Sequence, residues 1–152
     1  MNNENSVEVL NTLIEINHDR IEGYKTAAEE TDVSDLSELF LQFSATSHKC
    51  NKELAEEVRR LGGVPLEGTR MTGKLHRVWM DFKALLTGKS RDSILSSCEF
   101  GDATALETYD DALKNASEDL SFIHQSMLKS QRAMIEMDYK KVKNLRVVIA
   151  MK

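Results

Sequence analysis

Apolar residues recur at a spacing of three and four over residues 119–146, and this periodicity constrains the fold more than any other feature. The spacing places side chains on one face of an α-helix. The predicted inward stripe consists of Leu120, Ile123, His124, Met127, Gln131, Met134, Ile135, Asp138, Val142 and Leu145. Because three members are polar, we expect His124, Gln131 and Asp138 to need hydrogen-bond partners inside the fold.

Length and composition favour a single helical domain. A chain of 152 residues can enclose one hydrophobic core, and 41% hydrophobic residues with a single proline argue against disorder. The net charge of −5 argues against a nucleic-acid or anionic-membrane partner, which would require a basic stripe. The sequence shows neither a signal segment nor a run of about 20 apolar residues. We therefore expect a cytoplasmic protein.

The first helix is predicted over residues 7–30, after a frayed segment at residues 1–6. Asn17 lies at the centre of its apolar face, where a buried amide needs partners. Gly23 and Ala27 lie away from that face, and small residues there would let another segment approach closely.

The second helix is predicted over residues 34–61 and ends at Gly62-Gly63. Its inward face includes Ser47 and Cys50. The short link before it makes the first two helices antiparallel neighbours. Cys50 and Cys98 fall on apolar faces of different helices and have no further cysteines to complete a zinc site, so we expect buried free thiols.

Residues 64–91 form a connection that is too long for a tight turn. Trp79 and its apolar neighbours predict a short amphipathic helix near residues 71–86. A connection of this length can carry the chain to the other end of a bundle. Core packing explains the Trp79 face better than membrane anchoring, because the surrounding lysines and arginines do not form a basic face.

The third helix follows this connection and has Asp102 and Tyr109 on its inward face. A buried carboxylate is costly without a partner. A short turn at residues 114–117 predicts that the third and fourth helices are antiparallel neighbours, with Asp102 opposite Gln131 and Tyr109 opposite His124. The predicted structural polar core comprises Asn17, Ser47, Asp102, Tyr109, His124, Gln131 and Asp138.

Five motifs follow one another along the chain: LNTLIEINHD at residues 10–19, GY at 23–24, RRLGG at 59–63, LHRVWMDFKALLTG at 75–88 and CEFGDATA at 98–105. Together they resemble an uncharacterised bacterial family of ferritin-like four-helix-bundle proteins, a domain-of-unknown-function family related in shape to rubrerythrins. The resemblance spans about residues 9–146. It implies an all-α, ferritin-like bundle with a crossover helix between helices 2 and 3, and it carries over no activity.

A ferritin-like shape raises the hypothesis of a di-iron carboxylate site, in which glutamates and Glu-x-x-His pairs face inward. The Glu15-x-x-His18 pair lies off the predicted inward stripe. Iron prefers several carboxylates and imidazoles, and the inward residues at the depth of Asp102 are poor in both. We therefore expect no metal and no cofactor. If iron or manganese did bind, the weak candidate ligands would be Asp102, His124, Gln131 and Cys50.

The sequence favours a non-catalytic bundle with no catalytic or cofactor-binding residues, which acts through self-association or a protein partner. One alternative is a metal-binding or redox protein with a degenerate site in the bundle core, and another is a small-ligand carrier. Two surfaces favour a homo-oligomer, most simply a dimer: the apolar tail at residues 147–152 and the back of the first helix around Gly23 and Ala27.

Overall fold

The computed structural model describes residues 3–31, 34–67, 91–115 and 118–150. These ranges contain four α-helices and no β-strand: α1 (Asn3–Glu30), α2 (Ser34–Arg60), α3 (Arg91–Asn115) and α4 (Phe122–Ala150). The prediction of an all-α protein with four long helices is confirmed. The connector helix predicted near residues 71–86 lies outside the described residues. None of the helices in the described ranges has a stretch that is long and apolar enough to cross a bilayer.

Helices α1 and α2 form an antiparallel pair. Ser37 Oγ donates to the Ala28 carbonyl at 2.9 Å near their connection, and Asn51 Nδ2 donates to the Ile14 carbonyl at 3.3 Å farther along. The pair places inward residues of both helices at matching depths. The predicted antiparallel relation of these two helices is therefore confirmed.

Two glycines end α2 as the sequence predicts. Gly62 has a φ of 85°, in the left-handed region, and its N–H donates to the Arg59 carbonyl at 3.0 Å. The Gly63 N–H donates to the Val58 carbonyl at 2.9 Å, which completes a Schellman cap. A Cβ atom on Gly63 would lie 2.7 Å from the Val7 side chain, so a glycine here also lets α1 pack closely.

The start of α4 differs from the prediction. Ser121 Oγ accepts from the His124 N–H at 3.1 Å, which makes Ser121 the N-cap and begins the helix at Phe122. The connection after α3 is therefore longer than the predicted turn. Tyr109 lies opposite Gln131 rather than His124, because the longer connection moves the pairing by seven residues along α4. The predicted α3–α4 register was wrong.

The limits of the inward stripe of α4 also differ. Ile123 is 74% exposed, whereas Leu128, absent from the predicted stripe, is fully buried. The helix continues beyond Arg146 to Ala150, so the residues after 146 begin as helix rather than as a separate tail. At the other end of the chain, helix already begins at Asn3, within the segment predicted to fray.

Helix α1 is buried around most of its circumference. Glu15, which the sequence places off the inward stripe, is only 3% exposed, and Asp19 is 7% exposed. Gly23 and Ala27 are also buried. The back of α1 is therefore covered in a single chain, and the prediction that it offers an open surface for a second copy was wrong.

Two apolar clusters occupy opposite ends of the bundle. One contains Leu13, Leu54, Ala105 and Leu128, among others, and the second is built around the tilted and edge-on rings of Tyr24, Phe40 and Phe43. On every helix, the residues between these clusters in sequence include buried polar side chains. The middle of the bundle is therefore polar.

Candidate functional site

One arginine lies between two aspartates at the centre of the bundle. Arg20 Nε donates to Asp102 Oδ1 at 2.8 Å, Nη2 donates to Asp138 Oδ2 at 3.3 Å, and Nη1 donates to Ser47 Oγ at 2.6 Å. Each of the four helices contributes one of these four side chains. We call Arg20, Ser47, Asp102, Asp138 and Tyr24 the Arg20 layer.

Tyr24 completes the hydrogen bonding of Asp102. Its hydroxyl donates to Asp102 Oδ2 at 2.7 Å, so each oxygen of this carboxylate has a donor. The Arg20 guanidinium carbon also lies 5.2 Å from the centre of the Tyr24 ring, within the range of a cation–π contact. The side chains of Arg20 and Asp102 are 2% and 1% exposed. This ion pair is therefore shielded from water.

The Arg20 layer holds one positive group and two acidic groups. Burial alone would lower the pKa of Arg20, but Asp102 and Asp138 outweigh burial and hold the pKa above its ordinary value. Burial raises the pKa of both Asp102 and Asp138, and the Arg20 charge only partly opposes that rise. The guanidinium stays charged, and protonation of the two carboxyl groups becomes easier than in water.

A second polar group lies beside the Arg20 layer, and we call it the Tyr109 layer. Asn17 Nδ2 donates to Tyr109 Oη at 2.8 Å, and Tyr109 Oη donates to Gln131 Oε1 at 2.7 Å. Gln131 Nε2 then donates to Glu53 Oε1 at 3.1 Å and contacts the Cys50 carbonyl at 3.4 Å. Members of all four helices are again joined, here by a chain of largely uncharged groups.

His124 lies apart from both layers. Its Nε2 is 3.0 Å from Glu57 Oε1, and its Nδ1 is buried with no hydrogen-bond partner in the described part of the chain. The predicted contact between His124 and Tyr109 was therefore wrong. The predicted contact between Asp102 and Gln131 was also wrong. Asp102 accepts hydrogen bonds from Arg20 and Tyr24, whereas Gln131 belongs to the Tyr109 layer.

All seven residues of the predicted polar core are buried, but the structure divides them among three groups. Asp102, Asp138 and Ser47 belong to the Arg20 layer, Asn17, Tyr109 and Gln131 to the Tyr109 layer, and His124 to the pair with Glu57. The four weak metal candidates are therefore not brought together: Asp102 is in one layer, Gln131 and the Cys50 carbonyl are in the next, and His124 is separate.

The donor set does not fit a di-iron centre. Within residues 3–31, 34–67, 91–115 and 118–150, no three His, Cys, Asp or Glu side chains lie close enough to hold a metal ion. The carboxylates of Asp102 and Asp138 each bind the Arg20 guanidinium, which would repel a bound cation. Burial raises the pKa of the Cys50 thiol to about 11, so the thiolate that metals bind is disfavoured. Cys50 and Cys98 are both free and buried, as predicted.

A comparison with protein-family models gives one assignment. The family described as Domain of unknown function (DUF2383) matches residues 5–115. The chain belongs to this family. The part matched to DUF2383 includes Arg20, Ser47 and Asp102, whereas Asp138 lies on α4 beyond the match. None of the curated proteins compared with the chain matches it.

Sequence reasoning missed Arg20, the central residue of this DUF2383 bundle, although the sequence contains a signal for it. Arg20 lies three residues after Asn17 and four before Tyr24, which places it at the edge of the same helical face. Asp102 on α3 needs a buried partner. An arginine at the edge of the buried face of α1 is a candidate for an ion pair with it. Sequence reasoning also missed Glu53 and Glu57 on α2, which are the partners of Gln131 and His124.

Proposed function

We propose that this protein is a non-catalytic helical bundle in which the Arg20 guanidinium holds the position that a bound metal would take, and that it acts through association with itself or with a protein partner. The observation that carries the proposal is the pairing of Arg20 with Asp102 and Asp138. A metal-binding or redox role, the alternative, would require these carboxylates to exchange the guanidinium for a metal ion.

The burial of the polar groups supports a structural role for them. A catalytic acid or base must come within hydrogen-bond reach of its substrate. Asp102 and Tyr109 are almost completely enclosed, and their hydrogen bonds are made within the bundle. Satisfied polar groups of this kind can specify one arrangement of helices rather than accelerate a reaction.

Association is supported by large apolar side chains on the surface of α4. Met137 is 61% exposed and Val147 is 55% exposed, in addition to Ile123. Phe122 and Ile123 lie next to each other at the start of α4 and are 82% and 74% exposed, and an exposed apolar pair of this kind favours a protein contact. The ferritin-like fold, a bacterial origin and a cytoplasmic location are further parts of this proposal and rest on the resemblance of the sequence motifs.

Metal analysis of the purified full-length chain tests the proposal. Cells are grown with added iron and manganese, and the bound metals are quantified by plasma mass spectrometry. We expect far less than one ion per chain, and the same result for the matched variant Asp102→Asn. Two irons or manganeses per wild-type chain, lost in Asp102→Asn, would overturn the proposal.

A further inference from the structure

We draw no further inference here: the strongest candidate, the exposed apolar pair of Phe122 and Ile123 at the start of α4, belongs to the association already proposed, and nothing in the structure shows what covers it.

Discussion

At the scale of single residues, the charge of Arg20 decides how the centre of the bundle is held together. Moving a guanidinium and a carboxylate out of water costs several kcal/mol for each ion. Here the cost is offset by direct ion pairs with Asp102 and Asp138 and by hydrogen bonds from Tyr24 and to Ser47. Such a group contributes little net stability while it is intact, but the loss of one member leaves the others buried and uncompensated.

Replacement of the central cation should therefore be severe. Arg20→Met keeps much of the side-chain volume but leaves Asp102 and Asp138 without their cation, so we expect a loss of about 3–5 kcal/mol in the free energy of unfolding. Urea titration at pH 7 measures the loss. Adding Asp102→Asn and Asp138→Asn to the same chain removes the uncompensated charges and should recover part of it. A loss below about 1 kcal/mol for Arg20→Met would show that the ion pairs are not buried as described.

The two carboxyl groups also predict a dependence of stability on pH. Because burial holds the pKa of Asp138 above its unfolded value, the folded state binds more protons between these two pKa values. The stabilisation linked to this proton is complete below the unfolded pKa of about 3.9 and is lost as pH rises through the folded pKa. Between pH 7 and about pH 4, close to the unfolded pKa, the wild type should gain stability relative to Asp138→Asn.

Urea titrations of wild type and Asp138→Asn at both pH values provide the comparison. The informative quantity is the change in their stability difference, because a constant effect of the substitution cancels. If acidification stabilised Asp138→Asn relative to the wild type, the folded pKa of Asp138 would lie below its unfolded value.

At the scale of helices, capping sets the register between α3 and α4. Ser121 begins α4 at Phe122, and the resulting alignment brings Gln131 rather than His124 to Tyr109. A shift of seven residues preserves the inward face of a helix, so the apolar pattern is satisfied by either alignment. The residue at which α4 begins, and not the periodicity of its apolar residues, decides which alignment forms.

A double-mutant cycle checks this register. Tyr109→Phe and Gln131→Leu remove the two sides of one hydrogen bond, so their effects on the free energy of unfolding should be coupled by about 1 kcal/mol. Asp102→Asn combined with Gln131→Leu is the matched control, because these residues belong to different layers. Their effects should add to within about 0.5 kcal/mol. Coupling in the control and additivity in the test pair would restore the alignment expected from a short turn.

At the scale of the whole molecule, two apolar clusters are separated by polar layers that link all four helices. Burial of the clusters favours collapse, whereas the hydrogen-bonded layers restrict which helices can face one another. The Arg20 layer is satisfied only if one residue from each helix reaches the same depth. The polar centre therefore favours one arrangement of the bundle.

The same organisation predicts indifference to metal ions. An ion that binds the folded state at 100 times its dissociation constant would stabilise that state by about 2.7 kcal/mol. This would raise the unfolding temperature of a chain of this size by roughly 5 °C or more. We expect millimolar Mn²⁺ to leave the midpoint of the thermal circular dichroism transition unchanged, as it should in Asp102→Asn. A rise of that size in the wild type alone would indicate that a metal displaces Arg20.

The sequence by itself determined the properties that depend on local chemistry. Periodicity identified four helices, Gly62-Gly63 marked the end of α2, and the inward positions of Asn17 and Asp102 implied buried polar groups. These features follow from the preferences of a single helix and are read within one or two turns.

Only the tertiary structure decided which polar groups are partners. Arg20 lies at the edge of its helical face, and its long side chain reaches groups on three other helices, so no pattern within α1 reports those contacts. Likewise, the burial of Gly23 and Ala27 depends on what surrounds α1 and not on their own positions. Partner choice depends on register and depth across four helices, and small differences at the helix ends change both.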